Sequence, residues 1–166
     1  MQQKNQFGQL LGHLVENWIP CQRPARAPIQ GRYCILEPIE INKHAVKLFD
    51  VLAIDNQGES WTYLPYGPFD TISEFKDWLI KTMSDNDILL YAILDIKTQE
   101  PIGISGYLRM NPEHGVIEIG HLHFSALSKN TFKSKSKTFC CSTRRFIKII
   151  TFPFASSKLK FVKCMS

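Results

Sequence analysis

Three side chains able to hold a proton or a metal stand close together in the segment Asn111–Ser125, NPEHGVIEIGHLHFS: Glu118, His121 and His123. Read as a strand, strict alternation puts Val116, Glu118, Gly120, Leu122 and Phe124 on one face. Ile117, Ile119, His121 and His123 take the other. Glu118 then interrupts an otherwise apolar face. A carboxylate buried there would have its pKa raised by desolvation and could accept a proton at neutral pH, directly or through a water. The competing reading is an ion pair with Arg109 on the neighbouring strand. His121 and His123, two apart on one face, have a spacing that metal ligands use. No third His, Cys or carboxylate stands at ligand spacing to them, so structural or solvent-facing histidines are the favoured reading and no metal is expected.

A second chemical segment is the aromatic run Trp61-Thr62-Tyr63-Leu64-Pro65-Tyr66-Gly67-Pro68-Phe69. Its prolines and glycine exclude a helix or a central strand. The rings either line a substrate pocket, offering apolar faces with polar tips, or fold back onto the core. Cys140-Cys141 stand beside Arg144-Arg145, which would lower a thiol pKa, but no catalytic partner accompanies them.

The elements that must position these residues follow from periodicity. Leu10, Leu11, Leu14, Val15 and Trp18 have helical spacing, and Pro20, Pro24 and Pro28 then enforce an extended arm, so residues 1–30 form an N-terminal arm. A strand over Gly31–Glu37 is stopped by Pro38. Asn42 caps a helix to about Ile54, with Ala45, Leu48, Phe49 and Leu52 as its apolar stripe. Thr71 and Glu74 make a capping box for a helix to about Met83 that buries Phe75, Trp78 and Leu79. Strands at Ile88–Asp95, Ile102–Met110 and Val116–Phe124, joined by short polar turns, make an antiparallel meander. The order predicts an α+β (mixed α/β) fold with two helices inserted after the first strand. Phe146–Phe154 has the composition of one more strand.

With 166 residues and 44% hydrophobic content, the chain suffices for one compact domain with a real core. No apolar run has the roughly 18–20 residues of a membrane span, and the first residues do not read as a secretory signal. Five cysteines, an odd number, favour reduced thiols and a cytoplasmic location. The net charge of +5 hides a break. Residues 1–125 hold all 15 acids against 10 Lys and Arg, a net of −5. Residues 126–166 hold the other 10 Lys and Arg, no acid and no glycine. Such a tail is a binding segment for nucleic acid or an anionic membrane, an ordinary solvated segment, or sequence not selected with the rest.

Taken in order, several pieces resemble the GNAT superfamily of acetyl-CoA-dependent N-acetyltransferases. They are G-R-Y-C-I-L-E-P on the first strand, W-T-Y-L-P-Y-G-P-F in the loop, I-G-I-S-G-Y-L-R-M-N-P, and H-G-V-I-E-I-G-H-L-H-F-S. The branch that looks most similar is typified by ribosomal-protein N-terminal acetyltransferases, and the arm from Asn5 through Arg26 looks like its lead-in. The resemblance implies a GNAT-like sheet and acetyl-CoA as cosubstrate, with a primary amine, on a protein N-terminus or a small molecule, as acceptor. It implies that the backbone of His121, Leu122, His123, Phe124 and Ser125 pairs with the pantetheine arm. Glu118, in the E-I-G triplet, matches a position where some members place a general base. Trp61, Tyr63 and Tyr66 fall where the family shapes its acceptor pocket.

The resemblance stops at about Thr131. Ala126–Thr131 still looks right, but Phe132-Lys133-Ser134-Lys135-Ser136-Lys137 replaces the small residues that let backbone approach phosphate. The helices and strand that complete the family fold are missing from the pattern. This predicts a partial GNAT domain over residues 31–131, truncated or frameshifted, followed by an atypical basic tail over 132–166, with acetyl-CoA binding impaired. The alternative function is a non-catalytic binding module that contacts nucleic acid or an anionic surface through residues 129–163. Nothing in the tail matches the zinc or RNA-binding signatures that would strengthen it.

Overall fold

The structure, a computed structural model, describes residues 3–12, 16–55 and 58–126. The basic tail, Cys140-Cys141 and the strand expected at Phe146–Phe154 lie outside the described residues, as does the expected break at Thr131. In chain order the elements are β1 (Ile29–Gln30), β2 (Cys34–Pro38), α1 (Ile41–Leu52), α2 (Ile72–Met83), β3 (Leu89–Asp95), β4 (Pro101–Asn111) and β5 (Val116–Phe124). The five strands form one sheet in the order β1-β2-β3-β4-β5, every pair antiparallel. This is the mixed α+β architecture expected, with both helices following the first long strand and a meander after them.

Both helices lie on one face of the sheet. Their stripes, Ala45, Leu48 and Leu52 from α1 and Phe75 and Leu79 from α2, pack with Leu90, Ala92, Leu94 and Ile104 of the central strands. At α2 the capping box forms as read: the Glu74 backbone N–H donates to Thr71 Oγ1 at 3.3 Å. The Glu74 carboxylate accepts from the Asp70 N–H at 3.1 Å. The start of α1 differs from expectation. Its N-cap is Glu40, not Asn42, and His44 supplies the reciprocal contact, its Nδ1 accepting from the Glu40 N–H at 3.0 Å. Burial and a neighbouring carboxylate favour the histidine: His44 is 3% exposed, with Glu37 Oε2 at 3.5 Å from its Nε2.

The first long strand begins at Cys34 rather than Gly31, because residues 31–33 turn the chain back onto β1, with the Gly31 N–H bonded to Cys34 O at 2.9 Å. Pro38 closes the strand from within, opposite Tyr91. A strand end can take a proline because no ladder N–H is required there.

No helix forms among the described residues of the N-terminal stretch; Lys4 and Leu10 bridge as extended chain instead. Phe7, Leu10 and Leu11 are exposed and Trp18 is taken by the β4–β5 turn, so the described residues of the stripe make no common face, and a helix this short does not hold itself. The arm that follows is pinned to the β4–β5 turn, where Pro112–His114 make one turn of 3-10 helix. Trp18 Nε1 donates to the Glu113 carbonyl at 2.6 Å, and the Cys21 N–H donates to Pro112 O at 3.0 Å. Trp18 lies so close to Gly115 that a Cβ there would sit 2.5 Å from the indole, and the residue's φ of +61° favours glycine as well. Further along, Arg23 pairs with Asp87 at 2.7 Å.

Among the described residues no helix is long and apolar enough to cross a membrane.

Candidate active site

β5 does not alternate as a regular strand. Register shifts once between Ile104 and Gly106 of β4, where Gly106 pairs with Gly120 but Ile104 pairs with His123. The extra residue is taken up at His121, whose φ of +50° is left-handed. This is a β-bulge, and it reverses the alternation of the strand. Ile117, Ile119, Leu122 and Phe124 all pack on the face away from the helices. His121 and His123 contact rings on the helix side. Glu118, opposite Leu108, falls on that side too. The expected faces are therefore corrected: Leu122 and Phe124 do not share a face with Glu118, and the two histidines do not share one with Ile117 and Ile119.

The aromatic segment meets these histidines. Gly58 starts a 3-10 turn over Glu59–Trp61, and the chain then runs back to the start of α2. Tyr66 stacks on Trp78 with centroids 4.2 Å apart, and its hydroxyl lies 3.0 Å from His121 Nδ1. Trp61 meets the His123 ring edge-on at 4.1 Å, and Ser60 Oγ lies 2.9 Å from His123 Nε2. The fold-back reading holds for Trp61. Trp61 is 7% exposed and belongs to the core, while Tyr66 is half-buried over the bend. Tyr63 does not join them and is 96% exposed. Trp78 and Ser60 carry contacts that the spacing of the sequence did not single out.

Burial sets the electrostatics. Desolvation lowers the His121 pKa below its ordinary value, with the Glu118 charge pulling the other way. Desolvation pushes His123 down to about 4, opposed by Asp55. Both imidazoles are therefore neutral at pH 7. Burial raises the Tyr66 hydroxyl, which stays protonated. Glu118 is tied to Arg109, Oε2 to Nη1 at 2.6 Å, the ion pair that was its alternative reading. No group of three His, Cys, Asp or Glu among the described residues is arranged to hold a metal ion.

β5 is the last strand of the sheet, so its outer edge carries no partner strand among the described residues. Its inner edge is tight. The Ser125 N–H continues the ladder to Ile102 O at 2.9 Å, and a Cβ on Gly103 would lie 2.4 Å from His123 O.

Among solved structures, the chain is similar to a GCN5-related N-acetyltransferase from Brucella melitensis at 29% identity and a TM-score of 0.70. The match covers 86% of this chain and 61% of that one. It is also similar to a probable acetyltransferase of the GNAT family from Chromobacterium violaceum, at 29% identity and a TM-score of 0.69 over 87% of this chain and 69% of that one. The fold is that of the GNAT acetyltransferases. A GNAT-family acetyltransferase from Bacillus anthracis shares it at 16% identity and a TM-score of 0.52, over 76% of this chain and 68% of that chain. No protein-family model and no curated protein matches the chain. Less than two thirds of the Brucella protein is spanned. Within the GNAT frame, the bent edge strand, its two neutral histidines and the aromatic loop form one continuous candidate site.

Proposed function

We propose that this chain is a partial GNAT domain acting as an acetyl-CoA-dependent N-acetyltransferase on a primary amine, with a weakened hold on acetyl-CoA. The observation that carries the reading is the left-handed bend at His121, which turns a neutral imidazole onto Tyr66 on the outermost described strand of a GNAT-like sheet.

Acetyl-CoA supplies an acetyl group activated as a thioester. The backbone of His121–Ser125 is the stretch we assign to its amide-bearing arm, because β5 is the outermost strand among the described residues and a strand margin can offer N–H and C=O groups in register. The segment expected to face its phosphates begins after Ala126, and the sequence there has lysines where small residues are expected. Charge without a close backbone cradle makes a poorer anion site.

The acceptor arrives as an ammonium and must lose a proton before it can attack. With Nδ1–H donating to Tyr66, Nε2 of His121 holds a free lone pair. Glu118, on the same side of the sheet, stabilises the charged imidazole once it forms. His121 therefore accepts the proton and Glu118 supports it, which changes the weight given to Glu118 by the sequence. Trp61 and Tyr66 shape the acceptor side, with Tyr63 exposed at its margin. A strand N–H near the bend stabilises developing negative charge on oxygen. The ribosomal-protein branch, with a protein N-terminus as acceptor, and a cytoplasmic location belong to this same reading.

Calorimetry with acetyl-CoA and mass spectrometry of a primary-amine panel test it together on the full chain. Expected are binding weaker than micromolar, slow acetylation, and a roughly hundred- to ten-thousandfold rate loss in His121→Gln, the usual range for a lost general base. Glu118→Gln should shift the acidic limb of the rate to lower pH and change the rate less. Micromolar or tighter binding would overturn the impaired cofactor site. No binding and no transfer at millimolar acetyl-CoA would overturn the enzyme reading.

A further inference from the structure

The side of Trp61 that serves the core also closes an open cavity of about 490 Å³ between α1 and α2. Its walls are aromatic, formed by Phe49, Trp61, Phe69 and Phe75, and two carboxylates, Asp55 and Asp70, line it with them. The cavity sits in the most acidic stretch of the chain. Residues 49–80 contain Asp50, Asp55, Glu59, Asp70, Glu74 and Asp77 against Lys76 alone. Asp70 is exposed and forms no ion pair among the described residues. Asp55 is turned toward the 3-10 segment, its Oδ2 accepting the Ser60 N–H at 2.6 Å, and its charge also acts on His123.

Two carboxylates alone would suit many cations. Aromatic walls narrow the choice, because rings attract a weakly hydrated organic cation that can give up water on its apolar sides. A metal ion would need oxygen ligands on several sides, and this cavity is mostly carbon. The connection to the candidate site is direct: Trp61 lines the cavity and touches His123 of β5. We propose that this cavity binds an organic cation, an ammonium or guanidinium group, and that it does so as the subsite for a second positive charge on the acceptor. The preferred acceptor class is then an amine with another cationic group, such as a diamine or a peptide whose N-terminus is followed by a basic side chain. This specificity rests on the transferase reading above; the cation subsite itself does not.

The test separates the two. Binding of 1,5-diaminopentane, n-pentylamine and 5-amino-1-pentanol to the full chain is measured by calorimetry at low and at physiological salt, without acetyl-CoA. The diamine is expected to bind at least several-fold tighter than either monoamine, with a preference that shrinks as salt screens the charges. Asp70→Asn should cut that preference roughly two- to fivefold, the range of one exposed charge pair, and Asp70→Lys should abolish it. Asp70 is exposed, so both variants are expected to fold; Asp55→Asn, which can still accept the Ser60 N–H, gives an independent second variant. Amine binding that is unchanged in both the Asp70 and the Asp55 variants would overturn the subsite, and equal binding of the three compounds would overturn its role for a second charge. Diamine binding that responds to both aspartates while no amine is ever acetylated keeps the subsite and overturns the transferase reading. Acetylation with no diamine preference keeps the transferase reading and overturns the second-charge role.

Discussion

β3 and β5 are both apolar strands of one sheet, yet they have been put to different uses. All seven residues of β3 are buried, and most of its pairing on either side is regular. In β5 only His123 is buried, the register shifts twice against β4, and one residue has a left-handed backbone. A central strand gains most from unbroken ladders and two packed faces. An edge strand has less to lose, and a bulge there turns side chains that regular pleating would have sent elsewhere. In this molecule the bend delivers both histidines to the aromatic side and keeps four aliphatic or aromatic residues on the other. Core and site are thus divided between two strands of one sheet, and Glu118 and both histidines fall on the irregular one.

The sharpest way to break this contrast is truncation. Leu90→Ala in β3, at a position 1% exposed, should cost about 2–5 kcal/mol. Ile119→Ala in half-buried β5 should cost about 1 kcal/mol, since less transfer energy and a smaller cavity are at stake. Urea denaturation of both variants checks the difference, and equal losses would mean that β5 is as much core as β3.

Acid probes the same strand through His123. Its folded pKa, about 4, lies below the ordinary 6.5, so unfolding takes up a proton between those values. The stability that rests on a neutral His123 should therefore be full above about pH 6.5, fall as the pH drops, and be gone below about 4, a loss of at most about 3 kcal/mol after allowing for solvent screening. His123→Asn should flatten this slope between pH 7 and pH 4, whatever it does to stability at pH 7. A slope identical to that of the parent protein would remove His123 as the cause.

A smaller effect tests the inner edge. Gly103→Ala places a Cβ against the His123 carbonyl, backbone against which no side chain can give way, and should cost about 1–3 kcal/mol. Exchange of the Ser125 amide should rise in the same variant, because its bond to Ile102 is part of that seam. The least effect is expected at the helix that carries Trp78. Thr71→Ala removes one cap and should lower stability by about 1 kcal/mol, read from the thermal midpoint, with the bend at His121 untouched.

What could be read in advance was whatever local chemistry dictates. Thr71 and Glu74 announced α2 because a capping box has a fixed spacing, and the polar turns at Ile96–Pro101 and Asn111–Gly115 announced the meander. Glu40 as a cap had no such signal, since it depends on His44 being buried against β2. The bulge was illegible for a similar reason. Nothing in G-H-L-H says that the first histidine is left-handed; the pairing of Ile104 with His123 imposes it from the neighbouring strand. One extra residue, His121, then exchanged its own expected face and those of Leu122, His123 and Phe124 after it. Tyr66 and Trp61 were legible as aromatic residues of a loop, but which ring would meet which histidine depends on how that loop returns to α2.

The clamp of Trp18 on the β4–β5 turn has a consequence for the order of events in making the protein. Trp18 and Glu113 are 95 residues apart in sequence, and the arm's other anchors, at Asp87 and Pro112, also come late. The arm is therefore synthesised well before the segments it docks on and is among the last parts of the described structure to find its place. Until the turn has formed, Trp18 and the neighbouring Ile19 travel as an exposed apolar tether, open to chaperones and proteases while the sheet assembles behind them. Closure of the arm marks the moment at which the β4–β5 hairpin is complete.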